Sequence, residues 1–408
     1  TLFIKAKYFV SGRRAVVLSK KEAYVIYNEG IQYWNVFKPI LDEFEKRGIA
    51  VSYLTSAEND PFFAENYNYI TGSYIGEGNK AFAKLNLLSA DICLMTTPGL
   101  EVYQLKRSKD VSHYAHILHD TGDATCYRLF GIDWFDSILL SGEYQIEDIR
   151  KLENLRGTQP KTLPVIGSTY LDIYNEKIKT IAVNEDRPFT VLISPSWGPG
   201  SLLNEFGEKL LDPLSATEWK IIIRPHPQSK HTEKEMLQRL EEKYKDNSGF
   251  EWDYSPENIT TLSKSDIMIS DFSGIIFDFV FLFNKPVIYA NSSFNLEKYD
   301  ASDLDHIPWR FEVVKKFGIE LMKTELENIV AIIQKAKDNE ISAAARMEAK
   351  KTAWQYIGES GIRAVDYLVE KREEIIDIQR EKKIEKSYQA NPPKFMGQGT
   401  TMSTVKKG

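Results

Sequence analysis

Cysteine is nearly missing from this chain: two residues, Cys93 and Cys126, in 408. Their spacing supports neither a zinc site nor a disulfide framework, so neither device organises the fold. Cys93 lies in Asp-Ile-Cys-Leu-Met and reads as a small buried hydrophobe. Such sparing use of cysteine fits a reducing compartment. Long apolar runs are missing too, and no stretch can span a bilayer. There is no excess of basic charge: 52 Lys and Arg stand against 58 Asp and Glu, net −6. That balance argues against nucleic acid as a partner, because its usual footprint is a basic face. A local cationic cluster could still hold a phosphate-rich ligand.

What is present is ordinary globular material, 42% hydrophobic and 27% charged, in a chain long enough for two cores. Residues 21–178 alternate strand-like and helix-like segments. The strands are Ala23–Tyr27, Val51–Leu54, Asp91–Thr96, His113–Leu118 and Ser137–Leu140, with helices such as Trp34–Arg47 and Lys80–Leu88 between them. The pattern weakens over the polar stretch Asp172–Pro188, where a domain boundary is expected. It resumes over 188–340 with strands at Thr190–Ser194, Lys220–Arg224, Asp266–Ser270 and Pro286–Ala290. Strands alternating with helices imply an α/β fold with two parallel, doubly wound sheets. Residues 341–386 read as helices, with a thin apolar stripe of Ile362, Val365, Val369 and Ile376. The tail 387–408, poor in apolar residues, reads as disordered.

In doubly wound sheets ligands bind beyond the carboxyl ends of the strands. Three segments place chemistry there. In Ile221-Ile222-Ile223-Arg224-Pro225-His226-Pro227 a buried strand ends at a planar cation and a titratable ring, both held by prolines. Arg224 offers a fork for phosphate, and His226 can donate a hydrogen bond or a proton. The bland reading is a turn with a surface Arg and His. In Ser265–Gly274, Ser270, Asp271, Ser273 and Gly274 form a strand, turn and helix start, where free N–H groups favour an anion. Plain N-capping would explain the same residues. Asp271 would repel a phosphate and is expected to hold the turn or a ligand hydroxyl. The third segment, Tyr114–Asp123, carries His116 and His119, with His113 just before it. Strand alternation splits His113 from His116 and excludes a metal cluster. His119, at the strand end, is the candidate general base, against the reading of a satisfied structural histidine.

Lesser features complete the survey. Ser194–Ser201 follows a strand, and Ser196 and Gly198 would let a ligand approach the backbone. Asp278, inside the apolar helix that follows Gly274, needs a partner and reads as structural. Asp303 and Asp305 read as solvent-facing loop. No metal or cofactor motif is present.

The order and spacing of Arg-Pro-His-Pro (224–227), Ser-Asp-Ile-Met-Ile-Ser-Asp-Phe-Ser-Gly-Ile-Ile-Phe-Asp (265–278) and Lys-Pro-Val-Ile-Tyr (285–289) resemble the CDP-glycerol glycerophosphotransferase family, the primases and polymerases of teichoic acids. The likeness is specific over about residues 190–290 and loose over 1–180. It implies a GT-B fold, two Rossmann-like domains facing a cleft, with the nucleotide held mainly by the second. It implies CDP-glycerol as donor and a lipid-linked or polymeric, phosphate-rich acceptor. By this resemblance the pyrophosphate rests on Arg224, His226 and the Ser273 helix start, while His119 deprotonates the acceptor hydroxyl and CMP leaves. Family members place the first-domain histidine directly before glycine; here the run is His119-Asp120-Thr121-Gly122. Other readings of the same fold are a sugar-nucleotide glycosyltransferase or epimerase, a ribitol-phosphate transferase, and a catalytically silent nucleotide-binding scaffold.

Residues 1–20 mix aromatic and basic residues, from Phe3, Lys5, Lys7 and Tyr8 to Arg13 and Arg14. They read either as a membrane-interface flank or as the first element of the domain. With a lipid-linked acceptor, the expectation is a membrane surface as partner and work at the cytoplasmic face, tethered by a segment upstream of Thr1.

Overall fold

The computed structural model describes residues 21–390 apart from 183, 185, 291–294 and 338–340. The interfacial segment expected at 1–20 and the tail from 391 onward lie outside the described residues. The first sheet holds β1 (Glu22–Asn28), β2 (Val51–Thr55), β3 (Ile70–Tyr74), β4 (Ser89–Met95), β5 (Asp110–Ile117) and β6 (Ser137–Leu139), in the order β3-β2-β1-β4-β5-β6. All pairs are parallel. Tyr27 pairs with Met95 and Met95 with His116, so β1, β4 and β5 end almost level. His119 stands just past that rim.

The second sheet holds β7 (Thr190–Ile193), β8 (Lys220–Ile223), β9 (Phe250–Trp252), β10 (Ile267–Ser270), β11 (Val287–Ala290) and β12 (Gly318–Leu321), in the order β12-β11-β10-β7-β8-β9. Counted from its own first strand this is the same order as in the first sheet, the dinucleotide-binding arrangement. Its inner strands are aliphatic and buried on both faces: Val191, Leu192 and Ile193 in β7, then Ile221, Ile222 and Ile223 in β8. Continuous apolar strands are what a sheet covered by helices on both sides requires. The strands β3, β9 and β12 have no counterpart in the expectation from sequence.

The two halves are joined by the C-terminal helices, Ile341–Ala353 and Ser360–Ala390. The second of these returns to the first domain and packs on its Trp34–Lys46 helix. Ala364, Val365 and Leu368 are buried there. At Gly361 a Cβ would lie 2.5 Å from the carbonyl oxygen of Pro39, so only glycine allows this approach. Ile362, expected in the apolar stripe, is exposed at 41% instead. The expected linker from Asp172 is corrected as well. Asp172 belongs to the helix Thr169–Ile178 and accepts hydrogen bonds from Trp354 Nε1 (3.0 Å), Gly358 N (2.8 Å) and Ser360. Trp354 is 1% exposed, and cutting it to Ala would cost about 3–5 kcal/mol. Residues 387–390, assigned to the tail, continue the helix.

A second seam runs through Arg156, whose guanidinium bridges Asp133 (2.8 Å), Asp300 (2.9 Å) and Asp303 (2.7 Å). Asp303 is thus a structural ligand of Arg156, while Asp305 remains in solvent. His113 and His116 do split. His113 Nε2 meets Ser137 Oγ at 2.9 Å, and His116 is sealed against Tyr127 and Phe135. Burial drives the His116 pKa down to about 3, which keeps the ring neutral.

Candidate functional site

In the second sheet Ile193 pairs with both Ile223 and Ile269. The residues that follow them, Ser194, Arg224 and Ser270, therefore leave the sheet side by side, and β7 and β10 flank the point where the winding reverses. Asp271 pins this junction. Its buried carboxylate accepts from the backbone N–H groups of Ser196 (2.9 Å), Leu202 (2.8 Å) and Ser273 (3.2 Å). Burial raises its pKa, and those N–H donors oppose the rise. Asp271 thus holds the turn, one of the two roles expected of it.

Ser270 is turned into the junction, away from the surface. It is fully buried and its hydroxyl donates to the Ser194 carbonyl at 2.6 Å. Gly198 takes φ = +95°, which suits glycine, but its N–H is spent on Glu233 Oε1 at 2.7 Å. Its role is to shape the loop that presents Ser196 and Trp197.

A cavity of about 190 Å³ opens over this junction, lined by Ser196, Trp197, His226, Ser273, Gly274 and Arg310 among others. Gly274 begins the helix Ile275–Phe283; the N–H groups of Ile276 and Phe277 donate to the carbonyls of Ser273 (3.3 Å) and Gly274 (3.0 Å), which leaves those of Gly274 and Ile275 without a partner among the described residues. The Ser196 hydroxyl is buried and makes no hydrogen bond among the described residues. His226 packs beside Trp197, ring centroids 6.2 Å apart. The Gln228 N–H donates to His226 Nδ1 at 3.1 Å, so the neutral ring carries its proton on Nε2. Burial lowers the His226 pKa, with Glu233 pulling the other way. A neutral hydrogen-bond donor at Nε2 results.

Arg224 is placed differently from expectation. Its guanidinium is bound by Asp253, with further contacts to the hydroxyl (3.2 Å) and carbonyl (2.7 Å) of Ser255. It lines neither of the two cavities described here. The cation that does face the cavity is Arg310, which the sequence reading missed. Its position is set from the first domain: Asp123 accepts from the backbone N–H groups of Trp309 (3.1 Å) and Arg310 (2.7 Å). Burial works against the Arg310 charge, but the carboxylates of Asp120 and Asp123 oppose it and favour the ionised guanidinium.

A second cavity of about 250 Å³ continues from the first, sharing Phe272, Ser273, Arg310 and Phe311. Its far wall carries Tyr289, Glu312, Lys315 and Glu320. The pair of cavities has the polarity of an anion pocket leading into a chamber with carboxylates for hydroxyls. No group of three His, Cys, Asp or Glu side chains among the described residues is arranged to hold a metal.

The first domain closes the cleft with the turn after β5. His119 Nδ1 lies 3.0 Å from Tyr127 Oη and 3.3 Å from Thr96 Oγ1, and its ring packs on Tyr33 at 5.1 Å. Next to it, Asp120 Oδ1 accepts from Gly122 N at 2.8 Å. Tyr144 Oη donates to the carbonyls of Thr121 and Gly122, and its ring lies 4.4 Å from that of Trp309. A Cβ on Gly122 would meet Arg310 Nη1 at 2.8 Å. The turn therefore touches the second domain at the residue that faces the cavity. Asp278, read as structural, is bound by Tyr170 of the first domain at 2.9 Å.

Residues 179–370 match the family model described as CDP-Glycerol:Poly(glycerophosphate) glycerophosphotransferase. The resemblance carried by the three motifs is thereby shown, and the match covers the second domain and runs on into the last helix. No curated protein matches the chain. Among solved structures, the chain is similar to the wall teichoic acid polymerase TagF at 15% identity and a TM-score of 0.53, covering 88% of this chain and 90% of that one. It is similar to the UDP-GlcNAc 2-epimerase of Methanocaldococcus jannaschii at 14% identity and TM-score 0.56, covering 85% and 99%. The Neisseria meningitidis UDP-GlcNAc 2-epimerase matches at 12% identity and TM-score 0.56, covering 85% and 100%. At such identities these likenesses establish the fold, and that fold is GT-B.

Proposed function

Taking residues 179–370 as a member of the CDP-glycerol:poly(glycerophosphate) glycerophosphotransferase family, we propose that the chain transfers glycerol phosphate from CDP-glycerol to an acceptor hydroxyl and releases CMP. The observation that carries this reading is the pair of joined cavities, with His226, Arg310 and the Gly274 helix start around the first. The pyrophosphate sits in that first cavity, where helix N–H groups, the Arg310 cation and His226 Nε2–H meet its oxygens. The nucleoside extends into the larger cavity, toward Glu312 and Glu320. The acceptor enters from the first domain, at the His119–Gly122 turn.

The acceptor oxygen attacks the glycerol-bearing phosphorus in line with the bridging oxygen, which departs with CMP. Positioning and charge stabilisation carry most of such a step. A neutral His226 can share its Nε2–H in a hydrogen bond to the departing phosphate oxygens, stabilising the charge that builds there. A lipid-linked acceptor would bring the enzyme to an anionic membrane surface, which cosedimentation with phosphatidylglycerol vesicles tests.

The decisive assay incubates the chain with CDP-glycerol and a soluble glycerol-phosphate oligomer and follows CMP. Release that depends on the oligomer is the expected result. Turnover of UDP-GlcNAc with CDP-glycerol untouched would replace this reading with an epimerase or glycosyltransferase. Tight binding of CDP-glycerol without CMP release under any acceptor would leave a nucleotide-binding scaffold.

A further inference from the structure

We propose that Asp120, rather than His119, is the group that takes the proton from the acceptor hydroxyl. The proposal rests on the transferase reading above. The Asp120 carboxylate is not in the wall of either cavity but stands beside Gly274, which lines the first: a Cβ built on Gly274 would meet Asp120 Oδ2 at 3.8 Å and Arg310 Nη2 at 3.7 Å. The same carboxylate flanks Gly122, where a Cβ would meet Oδ1 at 3.1 Å. Its two oxygens differ. Oδ1 is held by the Gly122 N–H, which fixes the carboxylate orientation. Oδ2 has no hydrogen-bond or ion-pair partner among the described residues and faces the helix start of the other domain.

A carboxylate beside an anion pocket raises the free energy of phosphate binding. Unless it does something for the reaction, that arrangement works against the site. Arg310 lies between the two and softens the repulsion. His119 is anchored at one nitrogen: Tyr127 and Thr96 bracket Nδ1, and Tyr33 packs against the ring at a tilt, so Nε2 is the atom left open. Those contacts suit a residue that fixes the turn carrying Asp120. Asp120 directly follows His119 and opens the turn whose Gly122 N–H holds its Oδ1.

The step balances as follows. The acceptor O–H bond breaks and its proton goes to Asp120 Oδ2. The oxygen pair forms the new bond to the glycerol-bearing phosphorus. The bond from that phosphorus to the bridging oxygen breaks, and CMP leaves with the electron pair. Positioned carboxylates accept hydroxyl protons in this way in other phosphoryl transfers.

The test uses the full chain, CDP-glycerol and a glycerol-phosphate oligomer. Asp120→Asn keeps the shape and the Gly122 contact but removes the base and the repulsion. Calorimetry should show CDP-glycerol bound as tightly as by the parent chain or more so, while single-turnover CMP release falls by about 10²–10⁴. His119→Asn should lower the rate less than Asp120→Asn does. An Asp120→Asn chain that releases CMP at near-parent rate, or that loses donor affinity, overturns the proposal. If the parent chain itself releases no CMP from CDP-glycerol, the transferase reading falls and takes this step with it. An active parent with an equally active variant overturns Asp120 alone.

Discussion

The two sheets share one strand order, yet their reversal points hold opposite things. In the second domain, β7 and β10 lead into small residues, an unpartnered serine hydroxyl and a helix start, all pinned by the one buried carboxylate of Asp271. In the first domain, β1 and β4 lead into Glu29 and Thr97, which bond to each other at 2.9 Å. One junction offers hydrogen-bond donors and the other presents an acid. The same topology therefore fixes where a ligand can lie, and the loop residues decide its charge. In the proposed reaction the donor pyrophosphate takes the second junction, and the first domain is left to present an acceptor.

The sharpest way to break that comparison is to remove the second junction's titratable donor. His226→Ala should lower the rate of CMP release by about 10²–10⁴ with the melting temperature nearly unchanged. The matching change on the other side, Glu29→Gln, should leave donor affinity as it was. If calorimetry instead found CDP-glycerol lost on Glu29→Gln and kept on His226→Ala, the roles of the domains would be reversed.

Next in size is the pin itself. Asp271→Ala strands three backbone N–H groups in a buried junction, at a cost of about 3 kcal/mol. Chemical denaturation should show that loss together with lost donor binding. A smaller effect separates the two arginines. Arg310→Ala should weaken CDP-glycerol about 10- to 100-fold, the weight of charge-assisted hydrogen bonds to phosphate. Arg224→Ala should lower the melting temperature and change donor affinity far less, because its fork is bound to Asp253 and Ser255. Equal effects on binding would return Arg224 to the pyrophosphate.

The contrast between the arginines also shows how far the sequence could be read. Arg224 follows a strand of three isoleucines, so its place at the sheet rim was legible. The partners that occupy it, Asp253 and Ser255, come after the three-residue strand β9, too short to leave a periodic signal. Arg310 stands in Ile-Pro-Trp-Arg-Phe, outside any strand-end pattern, and reaches the cavity because Asp123 of the other domain binds its backbone. The aromatic flank around a lone Arg was the only local cue. His226, Ser273 and Gly274 were legible because strand, turn and helix follow one another within the chain. Asp120 was passed over because its place beside Gly274 depends on the opposite domain, which no local spacing signals.

The seam between the halves offers the smallest and most graded test. Three carboxylates that bind across it have raised pKa values. Asp278 is pushed to about 7 by burial, helped by nearby Asp120 and opposed by Tyr170 and Asn258. Asp123 and Asp300 are each pushed to about 6, again by burial, with Arg310 and Arg156 respectively pulling them down. In the unfolded chain an aspartate titrates near 3.9. Between about pH 4 and pH 7 the native state therefore holds more protons than the unfolded state, and stability falls as pH rises. The contribution is complete below about pH 4 and is lost through pH 6–7. Asp278→Asn mimics the protonated form and removes one of the three titrations. Relative to the parent chain it should be close to neutral at pH 5 and more stable by about 2 kcal/mol at pH 8. Comparing the two proteins at each pH cancels every other titrating group. Urea denaturation at pH 5 and pH 8 measures the difference, and a variant destabilised equally at both would mean that the Tyr170 contact binds the carboxylate rather than the acid.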